Sequence, residues 1–410
     1  MAFALQYFPG GKPMIKVDYK NEIFASELRS SLKGRGVECF LSNDNSCSSA
    51  DEFDDTFVAC VPSDFEFCTN GKFVSFLKEN KFKKSVLALF SASEFKVEGF
   101  LNGAVTLFHL PIDLQSEGPE KDFYLHYLIE QILQSYPNLP AKDEQSFKLT
   151  ALIKRIANTD ATVLINGPTG TGKEVVSNLI HHFSNRTEKA FVAVNCAAIP
   201  DQMLESMLFG HEKGSFTGAV QPNKGLLRAA DQGTVLLDEI SEMPITLQAK
   251  LLRVIQEKKV MPIGSSTEVS VDVRIVATTN RNMAEEVKAG RFREDLYYRL
   301  NVFPLNTLSL TDRKSDIPVI LSNILFHMDK GIEEKVKISG QAFEKLMDHS
   351  WPGNVRELYN VTQRAKILCA DNLISVSDLI FDDCEKNKST NTAEALAAKF
   401  RTTDSNEMVL

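Results

Sequence analysis

Residues 162–175 read TVLINGPTGTGKEV, an apolar run followed by a glycine-rich loop and then by residues that favour a helix. This order of strand, loop and helix is that of a phosphate-binding P-loop, whose glycines let backbone N–H groups wrap around a phosphate. The helix N-terminus and the Lys173 ammonium add positive charge there. The sequence therefore predicts a nucleotide-binding α/β domain with the contact residues Gly167, Pro168, Thr169, Gly170, Thr171, Gly172, Lys173, Glu174 and Val175.

A second apolar run, residues 233–237, ends in the two carboxylates Asp238 and Glu239. In P-loop ATPases, one acid at the end of such a strand binds the magnesium ion and the next orients the attacking water. We therefore assign Asp238 to the metal and Glu239 to the water. Position 174 departs from the generic motif, because Glu174 stands where a Ser or Thr usually binds magnesium.

The composition is that of an ordinary globular protein, and the net charge argues against a protein that holds nucleic acid by its own surface. The chain has 410 residues, 43% of them hydrophobic and 24% charged, which indicates two or three domains with sizeable cores. Its net charge is −8, and no basic stripe is visible. A protein that holds nucleic acid by its own surface usually shows such a stripe, so we expect any DNA contact to be local or supplied by a partner.

The cysteines and the hydrophobic runs bear on the compartment. The seven cysteines are scattered and form no Cys-x-x-Cys pair, which argues against a zinc site or a disulfide framework and favours a reducing compartment. Four of them fall in the first 70 residues, which leaves a redox-sensing role open. The sequence shows neither an apolar run of about 20 residues nor a signal peptide, so we predict a cytoplasmic protein without a membrane segment.

The first part of the chain has the pattern of a second α/β domain. Short apolar runs alternate with helical stretches such as 22–32, which implies a parallel sheet. The predicted strands are 14–17, 37–41, 57–61, 86–90 and 104–108. A polar break near residue 115 ends this domain, and an amphipathic helix over 123–136 follows it. That helix could transmit a signal between domains, or it could simply pack on its neighbours.

The remainder of the chain divides into three parts. Five strands (162–165, 191–194, 234–237, 273–277 and 302–305) alternate with helices, and after Pro318 the pattern is helical throughout. The last residues are polar, with one short helix candidate at 393–400, and we predict disorder there. The predicted domains are 1–115 (α/β), 116–145 (linker), 146–315 (α/β ATPase), 316–383 (helical lid) and 384–410 (tail).

The segment 208–219, LFGHEKGSFTGA, makes the comparison specific. It resembles the signature loop of the sigma-54-dependent transcriptional activators, a family of AAA+ ATPases, and the resemblance extends over residues 146–382. Ser215 stands where that loop normally has Ala. The resemblance implies that sigma-54 is contacted by Gly214, Ser215, Phe216, Thr217, Gly218 and Ala219. An aromatic side chain flanked by glycines agrees with this, because an exposed apolar group usually marks a site of contact with a partner.

The same resemblance implies roles for five further residues, with ATP and Mg²⁺ as cofactors. Asn195 would hold Glu239 away until the loop is engaged, and Asn280 would sense the γ-phosphate. Arg356 would contact the nucleotide from the lid, and 256–270 would hold a second loop. Arg293 and Arg299 would act as arginine fingers on the neighbouring subunit of a ring, expected to be a hexamer; simple surface ion pairs are the alternative. A guanidinium suits the finger role because its planar fork neutralises charge on the transferred phosphoryl group.

The N-terminal segment follows the order of a response-regulator receiver domain but lacks its chemistry. Only Asp18 follows the first strand, no Asp follows Cys60, and Asp64 comes several residues late. His109 stands about where a receiver has its conserved Lys. The segment resembles the degenerate regulatory domains of flagellar activators, so we expect a small molecule or a partner protein to replace phosphorylation. A plain packing or oligomerisation domain remains the alternative.

The family usually ends in a helix-turn-helix, and the residues after the lid are too few and too polar for one. The protein would act without its own DNA tether, or a partner would recruit it, or the chain is shortened. The expected function is ATP-driven remodelling of sigma-54 RNA polymerase to allow open-complex formation. The alternatives are an ATP-binding co-regulator of a DNA-binding relative and a general AAA+ remodeller, which would have no use for the signature loop.

Overall fold

The computed structural model describes residues 14–18, 20–41, 55–61, 71–80, 82–134, 136–216, 219–330 and 334–381. Two predicted features lie outside these residues: the helix candidate at 393–400 and Asp64. Within them the chain forms a receiver-like α/β domain, a long connecting helix, a second α/β domain and a mainly helical lid. No helix in the described ranges is long and apolar enough to cross a membrane.

The N-terminal domain is a six-stranded sheet with helices against it. Its elements are β1 (Met14–Val17), α1 (Glu22–Gly34), β2 (Cys39–Leu41), β3 (Asp55–Cys60), α2 (Gly71–Glu79), β4 (Lys84–Leu89), β5 (Lys96–Phe100), β6 (Val105–His109) and the connecting helix α3 (Pro119–Ile132). The strand order is β2-β1-β3-β4-β6-β5. The five predicted strands are confirmed, each within two residues of its predicted bounds, and all pair in parallel.

The prediction of a purely parallel sheet is wrong at one edge. Strand β5 was not anticipated, and it pairs antiparallel with β6 along its whole length. It occupies the stretch between the parallel strands β4 and β6, where the connection is usually a crossover helix. Its residues are mostly half-exposed or exposed, and it carries the ion pair of Lys96 with Glu98, 2.7 Å apart. Charged residues of this kind are common on edge strands, and they remove the apolar alternation by which a strand is recognised.

The second α/β domain contains the predicted five-stranded parallel sheet. Its elements are α4 (Glu144–Ala157), β7 (Val163–Asn166), α5 (Lys173–His182), β8 (Phe191–Asn195), α6 (Asp201–Phe209), α7 (Leu226–Ala229), β9 (Thr234–Asp238), α8 (Ile245–Glu257), β10 (Lys259–Val260), β11 (Val269–Ser270), β12 (Arg274–Thr279), α9 (Met283–Lys288), α10 (Glu294–Leu300) and β13 (Phe303–Asn306). The sheet order is β13-β7-β12-β9-β8, and apolar clusters cover both faces. The carboxyl ends of all five strands therefore lie at one edge, where α/β sheets bind ligands.

The lid follows a short 3-10 segment at Thr311–Asp316. Its elements are α11 (Ile317–Met328), β14 (Lys337–Ile338), α12 (Gly340–Asp348), α13 (Asn354–Leu368) and β15 (Leu373–Ile374). The prediction of an entirely helical lid is wrong for β14 and β15, which pair in parallel over two residues each. Strands this short give no periodic signal in the sequence.

The connecting helix α3 begins four residues earlier than predicted, because Pro119 fits the first turn of a helix, and it ends at Ile132, well before Pro137. Ten of its fourteen residues are buried, so the prediction of an amphipathic helix is wrong. The helix packs on the N-terminal domain through aromatic pairs such as Phe95 with Tyr124, and on the lid through pairs such as Phe123 with Phe343. A helix with neighbours on both sides has no solvent face to keep polar.

Candidate nucleotide site and loop surface

The P-loop lies between β7 and α5, and its glycines adopt backbone angles that other residues rarely take. The φ angles of Gly167, Gly170 and Gly172 are 155°, 79° and 99°. A β-carbon on Gly167 would lie 2.0 Å from Thr307 Oγ1, and one on Gly170 would lie 2.4 Å from the carbonyl oxygen of Gly353. Glycine is therefore required both by conformation and by close approach of neighbouring groups.

Lys173 begins α5, and its side chain is 7% exposed. Its ammonium donates to the carbonyl oxygens of Gly167 at 2.9 Å and Pro168 at 3.2 Å, directly over the loop. Burial lowers the pKa of Lys173, and the positive charge of Arg356 acts in the same direction, while Glu239 and Asp238 oppose them. A partly desolvated cation among backbone N–H groups at a helix N-terminus is a site that fits phosphate oxygens.

Asp238 and Glu239 lie beside this cation at the end of β9. Glu239 Oε1 is 3.9 Å from Lys173 Nζ, and Glu239 has a left-handed backbone with φ 52°. The other Glu239 oxygen accepts the backbone N–H of Asn280 at 3.2 Å. The structure therefore brings together the predicted phosphate ligand and both predicted acids.

The residues present fit a magnesium ion that is shared with a nucleotide. Mg²⁺ usually binds one or two carboxylates together with substrate phosphates and water. Among the described residues, no cluster of three or more His, Cys, Asp or Glu side chains could hold a metal without such help. Asp238 supplies one carboxylate, whereas Glu174 is exposed on the first turn of α5.

Two predicted residues of this edge have different outcomes. The amide of Asn280 donates to Thr169 Oγ1 at 3.1 Å, which places it against the P-loop. The family resemblance implies a role for Asn195 in holding Glu239, and among the described residues no hydrogen bond joins the two side chains. The Asn195 amide donates to Asp238 Oδ2 at 3.0 Å, and its oxygen accepts the N–H groups of Ala197 and Ala198. The reason is local: Asn195 pairs directly with Asp238 across neighbouring parallel strands.

The lid and the 3-10 segment before it hold the P-loop through its backbone carbonyls, a feature that sequence reasoning missed. The N–H of Val355 donates to the Gly170 carbonyl at 3.0 Å, and Asn354 Nδ2 donates to the Thr169 carbonyl at 3.0 Å. Arg313, which is buried, donates to the Thr171 carbonyl at 2.8 Å. Arg356 follows on the first turn of α13, where its side chain is exposed beside the loop. The turn-rich WPGN sequence at 351–354 was the only signal of this contact.

Arg299, one of the two predicted arginine fingers, lies away from the chain's own P-loop. Arg299 lines a surface cleft with Thr162 and Val302, which precede β7 and β13. This is the amino edge of the sheet, opposite to the nucleotide edge, so Arg299 cannot serve its own site. Arg293 is exposed and makes a two-point ion pair with Asp295, at 3.0 and 2.8 Å, which is the alternative that the sequence left open.

The predicted contact loop begins at Gly214, with φ 79°, whose N–H donates to the Ala219 carbonyl at 2.8 Å. Phe216 is 44% exposed, and its ring packs edge-on against His211 with centroids 4.9 Å apart. Among the described residues, Ser215 Oγ is buried without a hydrogen-bond partner. Thr217 and Gly218 lie outside the described residues.

The base of this loop is joined to the second predicted loop, which spans the β10–β11 hairpin. Ile263 donates its N–H to the Gly210 carbonyl at 2.9 Å and accepts the N–H of Glu212 at 3.0 Å. A β-carbon on Gly264 would lie 2.6 Å from Ser215 Cβ. The two loops therefore share one base, so a displacement of one loop also moves the residues at the base of the other.

At the corresponding edge of the N-terminal sheet, the described part of the chain ends β3 in Cys60, where a receiver has an acceptor carboxylate. Cys60 occupies that position, within 3.9 Å of the amide of Asn21. Burial raises the pKa of the Cys60 thiol, and the neighbouring Asp18 charge raises it further. His109 ends β6 and contacts Glu98 Oε2 at 3.0 Å. Among the described residues, Cys39, Cys60, Cys196 and Cys369 are free thiols.

Two protein families match consecutive parts of the chain. The sigma-54 interaction domain matches residues 139–306, and the AAA+ ATPase lid domain matches residues 311–396. Among curated relatives, the response regulator protein FleR of Pseudomonas aeruginosa is 47% identical over 296 residues, covering 72% of this chain and 62% of that protein. The Nif-specific regulatory protein of Klebsiella pneumoniae is 44% identical over 261 residues, covering 64% and 49%.

The chain therefore spans about half to three fifths of the length of these curated relatives. Among solved structures, NtrX from Brucella abortus in complex with ATP superposes with a TM-score of 0.57 at 25% identity. That match covers 94% of this chain and 88% of the NtrX chain, so it includes the receiver-like domain, the α/β domain and the lid.

Proposed function

The chain belongs to the sigma-54-dependent transcriptional activators of the AAA+ class, and from this membership we propose that it hydrolyses ATP to remodel sigma-54 RNA polymerase. Open-complex formation at the promoter is the expected result. The proposal rests above all on Phe216, an aromatic side chain that is 44% exposed on a glycine-flanked turn whose base is tied to the ATPase domain.

The residues at the nucleotide edge would divide the work of hydrolysis. Lys173 and Arg356 hold the phosphates, and Asn280 senses the terminal phosphate from its place beside Thr169. Asp238 holds the magnesium ion, which when bound neutralises phosphate charge. Glu239 orients the attacking water, and the burial that lowers the pKa of Lys173 supports a pocket that is withdrawn from solvent.

The remaining catalytic charge would come from a second copy of the chain. Arg299 faces outward at the amino edge of the sheet, so it can reach a nucleotide only on a neighbouring subunit. We assign Arg293 and Arg299 to that role and a ring, expected to be a hexamer, to the active assembly. ATP turnover should then rise faster than linearly with protein concentration, and a strictly linear dependence would count against the ring.

The parts of the chain would have separate tasks. Residues 146–315 form the ATPase, 316–383 the lid, 1–115 a regulatory domain, 116–145 the linker and 384–410 a tail. The absence of an acid at Cys60 supports a signal other than phosphorylation, either a small molecule or a partner protein. The N-terminal domain resembles the degenerate regulatory domains of flagellar activators, and the proposal therefore extends to flagellar promoters. The identity of the neighbouring genes would test this extension.

The decisive experiment separates ATP hydrolysis from polymerase remodelling. Phe216→Ala should keep the ATP turnover of the unmodified protein but lose open-complex formation at a sigma-54 promoter. It should also lose co-purification with sigma-54 in the presence of an ATP transition-state mimic. Val220→Ala is the matched control, because Val220 is apolar and 73% exposed but lies just outside the signature loop.

The opposite results would identify the alternatives. If Phe216→Ala and Thr217→Ala both leave open-complex formation unchanged, the activator proposal is wrong. If the unmodified protein binds ATP but engages sigma-54 in no nucleotide state, the proposal is reduced to a nucleotide-binding protein, and a co-regulator of a DNA-binding relative becomes the favoured alternative. Lys173→Ala abolishes nucleotide binding under either function and does not distinguish them.

A further inference from the structure

Thr278 lies on β12 next to β9, and its side chain contacts both acidic residues of the nucleotide edge. It is completely buried. Its hydroxyl donates to Asp238 Oδ1 at 2.5 Å and accepts the backbone N–H of Glu239 at 3.2 Å. One oxygen atom therefore connects the predicted metal ligand with the backbone of the residue that orients water.

The contact with Asp238 fixes the orientation of its carboxylate. Thr278 holds Oδ1, and Asn195 holds Oδ2 at 3.0 Å from the opposite side. A carboxylate that is held at both oxygens cannot rotate about its terminal bond without breaking a hydrogen bond. Such outer contacts orient the groups that bind a metal, and their loss typically reduces metal affinity or activity about 10- to 100-fold.

The contact with Glu239 supports an unusual backbone. Glu239 has φ 52° and ψ 53°, a left-handed conformation that a non-glycine residue adopts at a cost of about 1–3 kcal/mol. Its N–H points to Thr278, and its carboxylate accepts the N–H of Asn280, two residues beyond Thr278. The strained turn is therefore held at its backbone and at its side chain by the end of β12.

We propose that Thr278 is a positioning residue that sets Asp238 for magnesium and Glu239 for water, through one shared hydroxyl. This inference rests on the proposed ATPase function. The requirement is for the hydroxyl, because the same atom must donate in one direction and accept in the other. Valine has nearly the same shape but would leave the Glu239 N–H unpaired and set a methyl group against a carboxylate. Serine retains both hydrogen bonds.

The test compares Thr278→Val and Thr278→Ser with the unmodified full chain. Thr278→Val should lower kcat about 10- to 100-fold, whereas Thr278→Ser should stay within about threefold. Affinity for a fluorescent ATP analogue without magnesium should be unchanged in both variants. The gain in that affinity on adding Mg²⁺ should shrink only in the valine variant, which gives a readout independent of turnover.

The matched control is Thr234→Val, because Thr234 is also completely buried but begins β9 at the opposite edge and contacts His181 at 2.9 Å. It should leave both the turnover and the magnesium effect unchanged. Thr278→Ala, in which no methyl group meets the carboxylate, should reproduce the valine result and keeps the test decisive if the valine variant does not fold.

The proposal is overturned if Thr278→Ala keeps kcat and the magnesium effect within about twofold of the unmodified protein. It is also overturned if Thr278→Ser loses as much as Thr278→Val, or if Thr234→Val loses as much as either. Failure of the ATPase proposal is recognised separately, since the unmodified protein would then lack turnover. The magnesium effect on nucleotide affinity would still report on Thr278.

Discussion

The two α/β sheets of this chain place their strand ends in the same way but hold different chemistry there. At the carboxyl edge of the ATPase sheet, Asp238 and Glu239 lie next to a buried lysine and are hydrogen-bonded by β12. At the same edge of the N-terminal sheet, within the part that the structure describes, Asp18 follows β1 and Cys60 ends β3. A parallel sheet therefore supplies a location for a functional site, and the individual side chains at the strand ends decide whether a site exists there.

The N-terminal domain has its buried charge elsewhere. Arg35, which is completely buried, contacts Glu130 and donates to His126 Nδ1 at 2.7 Å, and Glu130 also accepts from Asn323 of the lid at 2.7 Å. Burial lowers the pKa of His126, so it remains neutral beside Arg35. These contacts join the C-terminal end of α1 to α3 and to α11 of the lid.

The largest expected effect would show that the ATPase edge, unlike the N-terminal edge, is completed by another subunit. Arg299→Ala should lower kcat about 10³-fold at any protein concentration, because an arginine finger is worth at least that much. Mixing Arg299→Ala with Glu239→Gln should recover part of the turnover, because some interfaces then pair an intact finger with an intact acid. Steady-state turnover of each variant and of the mixture is the measurement. No recovery on mixing would contradict supply of the arginine in trans.

The next effect contrasts one acid from each sheet. Glu239→Gln should reduce ATP turnover about 10²-fold or more while nucleotide binding persists, because the amide cannot accept a proton from water. Asp18→Asn, the corresponding change at the N-terminal edge, should leave turnover unchanged. Turnover and nucleotide affinity of both purified proteins are the measurement, and an equal loss in the two variants would break the comparison.

A smaller effect concerns the buried charges between the N-terminal domain and the lid. Arg35→Met should lower the free energy of unfolding by about 3 kcal/mol, because it leaves the Glu130 charge buried without its cation. Arg35→Met combined with Glu130→Leu should recover part of this loss. Urea unfolding followed by fluorescence provides the measurement, with Arg29→Met on the exposed side of α1 as control. A loss below about 1 kcal/mol would show that the contact does not hold the domains together.

The smallest effect is an expected absence of change. Incubation with acetyl phosphate should add no phosphoryl group to the N-terminal domain and should leave ATP turnover unaltered, because β3 ends in Cys60 rather than in an acid. Intact mass spectrometry checks the first point, with an active receiver domain treated in parallel. A stable phosphoryl adduct would contradict the proposed difference between the two sheets, because the N-terminal domain would then also carry a reactive site.

The features that could be predicted from the sequence are those with a local signal. The P-loop, the acids that follow β9 and ten strands of the two main sheets each combine an apolar run with a turn or a charged end. Strand β5 lacks that signal because Lys96 and Glu98 interrupt it, and β14 and β15 are too short to show one. The burial of α3 on both sides depends on its neighbours in the fold, and the sequence of α3 alone does not reveal those neighbours.

The hydrogen-bond partners at the nucleotide edge also lack a local signal in the sequence. The sequence identified Asn195 and Asn280, but their hydrogen-bond partners depend on strand register, which pairs Asn195 with Asp238. Thr278 reads as an ordinary buried strand residue until β9 lies beside it. Asn354 and Arg313 reach the P-loop across a separation of more than 140 residues, a distance over which no sequence pattern operates.

The three donors that reach the P-loop from the lid side all bind main-chain carbonyl oxygens, those of Thr169, Gly170 and Thr171. Every amino acid has such an oxygen, so substitutions in the P-loop can alter nucleotide affinity and still leave these three hydrogen bonds in place. Changes at Asn354 or Arg313, by contrast, would free the lid without touching a single phosphate ligand. A lid transplanted from a related protein should therefore function on this ATPase domain if it retains the donors at Asn354 and Val355 and if Arg313 in the preceding segment is kept.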